Sequence, residues 1–309
     1  MKQIVSIIVC TFNRAGILPY CLDSLVDQTA SPDTYEVIIV DNNSTDSTRE
    51  IAEGFVRRCS NFRVILEPMQ GLSHARNRGW QEAESDWIAY IDDDAKVPSD
   101  YVERVLDIID KYDFDCFGGV YLPWYKYGKP EWFRDEYASN AHLQSEIGKL
   151  RNGSLSGGNI VFRRFILKQL GGFHAGIGMN GKKISYHEET LLQQHMIRNG
   201  YSIGFDPDLI IRHLVPRYKM TPWWFVRSSY ARGRDSWVLD SVPYSWKEIL
   251  STAVVLFKTF TSSTIIATRN IFQKNYSIQN WIIDIGRPAG WISGKLVSMV
   301  RYSLKEVLS

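Results

Sequence analysis

Trp87-Ile-Ala-Tyr-Ile-Asp-Asp-Asp-Ala-Lys-Val-Pro98 is an apolar run that ends in three consecutive carboxylates, Asp92, Asp93 and Asp94. A short continuous apolar run reads as a buried strand. The acids then emerge together at its C-terminal tip, the edge where open α/β sheets bind ligands. Adjacent carboxylates repel one another unless a cation or solvent intervenes. Hard divalent cations take oxygen ligands, and Mg²⁺ sites combine one or two carboxylates with phosphate oxygens. The stretch reads either as a metal clamp for a diphosphate or as a solvated acidic turn.

Outward from this run, strands alternate with helices. Ile4–Val9, Tyr35–Val40 and Phe62–Leu66 read as strands, and Gly16–Gln28, Ser47–Cys59 and Ser73–Ala83 as helices, with Leu18, Cys21, Leu22 and Leu25 on one face of the first. Ser44 or Asp46 is placed to cap the second helix. This order predicts an α/β fold with a mostly parallel central sheet and helices on both faces. Phe117–Tyr137, rich in Gly, Pro and aromatics, reads as a long loop or irregular flap. Strand–helix order returns with Gly157–Phe162 (strand), Arg164–Leu170 and Tyr186–Asn199 (helices), and one or two strands over Tyr201–Ile211.

The 309-residue chain is 44% hydrophobic and 23% charged, an ordinary globular composition. A net charge of +2 does not indicate a nucleic-acid binder. Cys10, Cys21, Cys59 and Cys116 have no zinc-ligand spacing and are expected as reduced thiols in a cytoplasmic protein. Met1-Lys-Gln leads directly into a strand, so no signal peptide is expected. The alternation stops near residue 240, which divides the chain into a main domain, 1–240, and a helical appendage, 241–309. Within the first, 1–116 and 117–240 are expected as two halves, divided where the aromatic-rich stretch begins. The appendage carries Lys247, Lys258, Arg269, Lys274, Arg287, Lys295, Arg301 and Lys305 against Glu248, Asp284 and Glu306. Its apolar runs, such as Ile249–Phe257, are shorter than the roughly 20 residues needed to cross a bilayer. It is expected either to lie peripherally on an anionic membrane surface, the inner face of the cell membrane, or to pack on the main domain or a partner.

In a parallel sheet the strand tips face one crevice. These tips are Cys10-Thr-Phe-Asn-Arg14, Asp41-Asn-Asn-Ser-Thr-Asp46, the approach to Gly71–Gly79, and the three aspartates. Asp41 is suited to accept hydrogen bonds from a base or ribose, and the Arg76 fork to pair with phosphate. With a metal on the aspartates, the combination suits a nucleoside diphosphate.

Together, Val5–Arg14, Val37–Asp46, Ala75-Arg-Asn-Arg-Gly79 and Ile91-Asp-Asp-Asp94 resemble the glycosyltransferase family 2 enzymes, which have the GT-A fold. Each motif alone is weak; four in order, each behind a strand, are specific. Gly157-Gly-Asn159 with Arg163, and Gly171-Gly-Phe173, resemble the family's acceptor-side segment, and the likeness spans about residues 4–235. The resemblance implies that Thr11, Phe12, Asn13, Arg14 and Asp41 hold the nucleoside diphosphate and that Arg76 helps. It puts Mn²⁺ or Mg²⁺ on Asp92 and Asp94, and leaves Asp93 the donor ribose or sugar. His213, in Ile211-Arg-His-Leu214, falls where many GT-A enzymes complete the metal shell; His74 and His187 are weaker candidates. Tyr186-His-Glu-Glu-Thr190 falls on the family's Glu-Asp pair, making Glu189 the catalytic base and Glu188 its neighbour, with Glu in place of Asp at the base position. Both acids also simply favour a helix N-terminus.

The implied activity is inverting, metal-dependent transfer from a nucleotide-diphosphate sugar to a saccharide or lipid-linked saccharide, in polysaccharide or glycoconjugate synthesis. Trp124, Trp132 and Trp223 are positioned either to stack on an acceptor sugar or to serve core or membrane contacts. Arg227, Arg232 and Arg234 are either neutralising cations for a lipid or nucleotide diphosphate or ordinary surface charges. The Gln-x-x-Arg-Trp motif of processive synthases is absent, and with no transmembrane run expected, a polymer-extruding synthase is disfavoured. A pyrophosphorylase lacks its glycine-rich loop at Cys10–Arg14, and a dehydrogenase its GxGxxG. A non-catalytic scaffold would be expected to have lost an acid, and none is missing.

Overall fold

The computed structural model describes residues 3–179, 184–240, 244–273 and 276–308. It divides into two compact units. The first comprises Met1–Trp124, Ala138–Gly181 and Glu188–Leu214; the second comprises Tyr125–Tyr137, Lys182–His187 and Val215–Ser309.

The first unit is built on strands β1 (Val5–Thr11), β2 (Tyr35–Asp41), β3 (Phe62–Leu66), β4 (Trp87–Ile91), β5 (Ala95–Lys96), β6 (Cys116–Trp124), β7 (Gly148–Lys149), β8 (Asn159–Arg163) and β9 (Ile203–Leu214). They form one sheet in the order β3-β2-β1-β4-β8-β6-β9-β5, with β7 also on β9. β1 to β4 pair in parallel. β8 then runs antiparallel to both β4 and β6, so the sheet is mixed in its second half.

Period-two alternation explains why these strands read as unbroken apolar runs: both faces are covered. Val5, Ile7 and Val9 of β1 face one core with Val37, Ile39, Ala89 and Ile91. That core is closed by α1 (Leu18–Val26), α2 (Thr48–Val56) and α4 (Tyr101–Lys111) through Leu22, Phe55 and Val105. Ile8, Ile38, Ile88 and Tyr90 face the other core. It is closed by α3 (Leu72–Glu82), α5 (Arg164–Leu170) and α6 (Glu188–Arg198) through Ala75, Leu167 and Met196. All four cysteines are free thiols.

Two local expectations change. The first part of the expected flap is β6, paired in parallel with β9 over its length. Its Gly118-Gly119 reads as loop in sequence, yet a Cβ there would overlap the carbonyls of Asn159 and Leu209. The helix expected from Tyr186 begins instead at Glu188, because His187 has φ 84°, which a helix does not admit.

In the second unit, α7 (Pro222–Asp235) is capped by Thr221, whose side chain accepts from the Trp224 N–H. It packs on α9 (Ile278–Leu308) along Gly286, Gly290 and Gly294. α8 (Trp246–Asn270) starts at a capping box formed by Ser245 and Glu248.

α8 corrects the expectation of runs too short for a bilayer. It is one 25-residue helix containing an 18-residue stretch of mean hydropathy 1.5, long and apolar enough by length and composition to cross a membrane. The hydroxyls that interrupt its apolar runs bond back to carbonyls of the preceding turn, Thr261 to Phe257 and Thr264 to Phe260, both at 2.8 Å. Leu250, Val254, Val255, Phe257, Ile265 and Ile266 are exposed. Of the basic residues expected in this region, Lys274 lies outside the described residues and Lys305 is described only in its backbone.

Candidate active site

The register of β1 against β2 sets Thr11 beside Asp41, and its register against β4 sets Ile8 beside Tyr90. The tips of three parallel strands therefore end together, with Asp92–Asp94 just beyond β4. β5 follows at once and pairs with β9 so that Ala95 faces His213. The Leu214 N–H donates to the Asp94 carbonyl at 2.9 Å. This short pairing, invisible as a motif, carries His213 back across the chain to the aspartates.

One ligand atom from each of Asp92, Asp94 and His213 lies within 4.8 Å of the others. His213 Nε2 is 3.1 Å from Asp94 Oδ1 and 3.5 Å from Asp92 Oδ2. Two carboxylates and an imidazole so placed fit a six-coordinate divalent ion with positions left for phosphate oxygens. Asp93 Oδ1 is 3.6 Å from Arg14 Nε, and the same guanidinium lies 3.8 Å from Asp94 Oδ2. Burial, then the neighbouring Asp94 charge, pushes the Asp93 pKa up to about 7 against the pull of Arg14. A crowded acidic cluster of this kind is eased further by a cation. Behind it, the Trp124 indole N–H donates to the Asp94 carbonyl at 3.1 Å, while the Lys96 ammonium sits 4.2 Å from the Trp124 ring.

Arg76, on α3, is fully enclosed. Its Nη1 bonds Glu188 Oε1 at 3.0 Å, its Nη2 lies 3.7 Å from Asp92 Oδ1, and its guanidinium stands 5.3 Å from the Phe173 ring centre. The Tyr90 hydroxyl donates to the Arg76 carbonyl at 3.1 Å and fixes that turn of the helix. Burial opposes the Arg76 charge, but Glu188, Asp92 and Glu189 outweigh it and raise its pKa. The arginine assigned from sequence to phosphate is thus placed between the metal-ligand cluster and the glutamate pair. Gly157 and Gly158, just before β8, make the room. A Cβ on Gly157 would overlap the Arg76 guanidinium, and one on Gly158 the Asp92 carboxylate.

Glu188 and Glu189 open α6. Glu188 is spent on Arg76, and its second oxygen is buried without a hydrogen-bond partner among the described residues. Burial, then the Glu188 charge, raises the Glu189 pKa to about 8, with Arg76 opposing. A carboxylate poised near neutrality is matched to general-base work.

The nucleotide-side residues cluster as a loop network. Asn13, at φ 53°, bridges to the turn after β2: its N–H donates to Ser44 Oγ at 3.0 Å and its Oδ1 accepts from the Thr45 N–H at 2.8 Å. The Arg14 N–H donates to Thr48 Oγ1. Asp41 is buried, with Oδ1 accepting from the Ser44 N–H. Thr11 is buried and Phe12 half-buried beside them. Asn42, not singled out in the sequence, organises the next loop by accepting from the Gly71 N–H and donating to the carbonyls of Glu67 and Met69. His74 lies beside Gly71. His187, Trp132 and Trp223 belong to the second unit, where His187 Nε2 meets the Arg232 carbonyl.

Residues 6–171 match the sequence profile described as Glycosyl transferase family 2. The chain belongs to this family. Family 2 relatives include the glucosyl-dolichyl phosphate glucuronosyltransferase of Haloferax volcanii, 26% identical over 251 residues, 76% of this chain and 77% of that one. Glycosyltransferase AglE of the same organism is 28% identical over 68% of this chain and 66% of its own length. The putative glycosyltransferase EpsH of Bacillus subtilis is 38% identical over 102 residues, 33% of this chain and 29% of that one. Among solved structures, the mannosyltransferase PcManGT of Pyrobaculum calidifontis, in complex with GDP-Man and Mn²⁺, superposes with TM-score 0.62 at 19% identity. The match covers 94% of this chain and 88% of that one. S. aureus TarS 1-349 in complex with UDP-GlcNAc gives 0.56 at 17% identity, covering 99% and 92%. The fold is GT-A, and this family 2 member is a glycosyltransferase with an acidic cluster able to hold a metal.

Proposed function

We propose that the protein transfers a sugar, with inversion, from a nucleotide-diphosphate sugar to a hydroxyl of a saccharide or lipid-linked saccharide. The observation that carries this reading is the buried Arg76, which spans from Asp92 of the metal-ligand cluster to Glu188 of the glutamate pair. One buried side chain would thus tie the proposed leaving-group site to the neighbour of the proposed base Glu189. The donors bound by PcManGT and TarS, GDP-Man and UDP-GlcNAc, and the Mn²⁺ in the former support a nucleotide-sugar donor and a metal. The relative acting on a glucosyl-dolichyl phosphate supports a lipid-linked acceptor.

Asp41, with Thr11, Phe12, Asn13 and Arg14, would hold the nucleoside diphosphate. Asp92, Asp94 and His213 would hold Mn²⁺ or Mg²⁺, which when bound supplies Lewis-acid stabilisation of the departing diphosphate. Glu189 accepts the proton of the acceptor hydroxyl as its oxygen bonds the anomeric carbon. The bond from that carbon to the diphosphate breaks on the opposite face, and nucleoside diphosphate leaves. Asp93, held toward Arg14, would meet the donor ribose or sugar.

α8 and the basic residues of the second unit support a peripheral position at a membrane, on its cytoplasmic face. The experiment is a calorimetric screen of nucleotide sugars with and without Mn²⁺. The reading expects one class of donor to bind at least tenfold more tightly with the metal. Binding of no nucleotide sugar, or binding indifferent to Mn²⁺, refutes it.

A further inference from the structure

The second unit has a pocket of about 710 Å³ between α7 and α9, lined by Trp223, Val226, Arg227, Tyr230, Arg234 and Gly290 among others. Trp223, Arg227, Tyr230 and Arg234 recur at helical spacing and share one face of α7. Glycine lets the helices close beneath it: a Cβ on Gly290 would overlap the Val226 carbonyl. The lining is mainly apolar, with two guanidinium groups at its margin. Arg234 is committed, bidentate to Asp235 and donating to the Ile184 carbonyl. Arg227 is exposed and makes no hydrogen bond or ion pair among the described residues, and the Trp223 ring beside it is 66% exposed. An apolar cleft closed by an unpaired guanidinium and an amphipathic ring matches a molecule with an anionic head and a hydrocarbon chain. An acidic peptide or a nucleic acid would leave the floor unsatisfied. The same unit carries α8, whose exposed apolar residues give such a molecule a surface from which to arrive.

We infer that this pocket binds the phosphate head and first hydrocarbon segment of a phosphate-bearing lipid, with Arg227 on the phosphate and Val226, Ala289 and Gly290 along the chain. The inference rests on the proposed transfer to a lipid-linked acceptor, and it assigns that acceptor a site. The test is calorimetry on the full chain with farnesyl phosphate below its micelle concentration, beside farnesol and inorganic phosphate. Farnesyl phosphate should bind at least tenfold more tightly than either component. Arg227→Gln should weaken it about tenfold, the loss of one charge-assisted hydrogen bond, and Arg227→Lys less. Equal affinity in Arg227→Gln overturns the inference, since it places the lipid on α8 or elsewhere. Inorganic phosphate binding as tightly as farnesyl phosphate also overturns it, leaving an anion site only. Nucleotide-sugar binding with Mn²⁺ is titrated on the same samples and should not change in Arg227→Gln. Loss of donor binding in the parent protein, with Arg227-dependent lipid binding intact, sinks the transferase reading and spares the lipid site.

Discussion

Replacing Glu189 by Gln separates catalysis from folding at this site. Glu189 is raised from 4.5 to about 8 by burial and by Glu188. At neutral pH the free enzyme therefore keeps much of this base protonated, and kcat/KM should rise with pH through about 8. A positioned general base contributes on the order of 10²–10⁴ in rate, about 3–5 kcal/mol of barrier. Glu189→Gln should lose that factor together with the rising limb. The stability effect has the opposite sign. A carboxyl whose folded pKa is raised favours the fold while protonated, and that contribution is lost as pH climbs from 4.5 through about 8. The Gln variant escapes this loss, so its thermal midpoint should exceed the parent's at pH 9 and match it near pH 4. The difference is on the order of 1–3 kcal/mol after solvent screening of a half-buried group. Glu188→Gln should behave differently, because it removes the negative charge from the 3.0 Å partner of buried Arg76 and should cost up to about 3–5 kcal/mol of stability. The assay is nucleoside diphosphate release from the donor at saturating Mn²⁺ across pH 5–9 (roughly one proton binding step), with melting curves on the same samples. A Glu189→Gln enzyme within tenfold of the parent kcat, or one that keeps the rising limb, refutes the assignment of the base.

Four other outcomes follow from the geometry. His213→Gln should weaken Mn²⁺ binding about 10- to 100-fold and erase any preference for Mn²⁺ over Mg²⁺, because Mg²⁺ favours oxygen ligands; calorimetric metal titration reads both. Gly158→Ala should displace the Asp92 carboxylate and cost metal affinity by a similar factor while the far-ultraviolet circular dichroism is unchanged; unchanged Mn²⁺ affinity would count against Asp92 as a ligand. Gly294→Val should force α9 away from the Tyr230 carbonyl of α7 and destabilise that helix pair by about 1–3 kcal/mol, seen as faster amide exchange in both helices. The full chain should float with anionic liposomes, and replacing Leu250, Val254 and Phe257 by Ser should release it; flotation that persists means α8 is not the contact.

The strands were legible because both faces of the sheet are buried at β1 and β4, so Trp87–Ile91 carries no strongly polar residue and Val5–Val9 only Ser6, whose hydroxyl donates to Glu36. The acidic tip was legible for the same reason: where an apolar run stops at three acids, the sheet edge is marked. β6 was not, since Gly118, Gly119 and Pro123 mimic a loop, and only the approach of two neighbouring carbonyls shows why glycine stands there. α8 was hidden by its hydroxyls, whose polarity the helix itself satisfies.

The role of Arg76 illustrates a deeper limit. Its sequence neighbourhood and its charge both fit a phosphate contact, and nothing local predicts a carboxylate 112 positions away. Burying a guanidinium is costly unless good partners surround it, and a buried ion pair is seldom a net gain in stability. Hydrophobic residues of similar volume would hold α3, β4 and α6 together at least as well. What they could not do is hold Asp92 and Glu188 at opposite ends of one planar group. A lysine would keep the charge but not the planar reach, so Arg76→Lys should leave the fold standing while loosening the distance between the metal-ligand cluster and the base. Retention of an ion pair that stability does not require is then best explained by the geometry it enforces on the two acids.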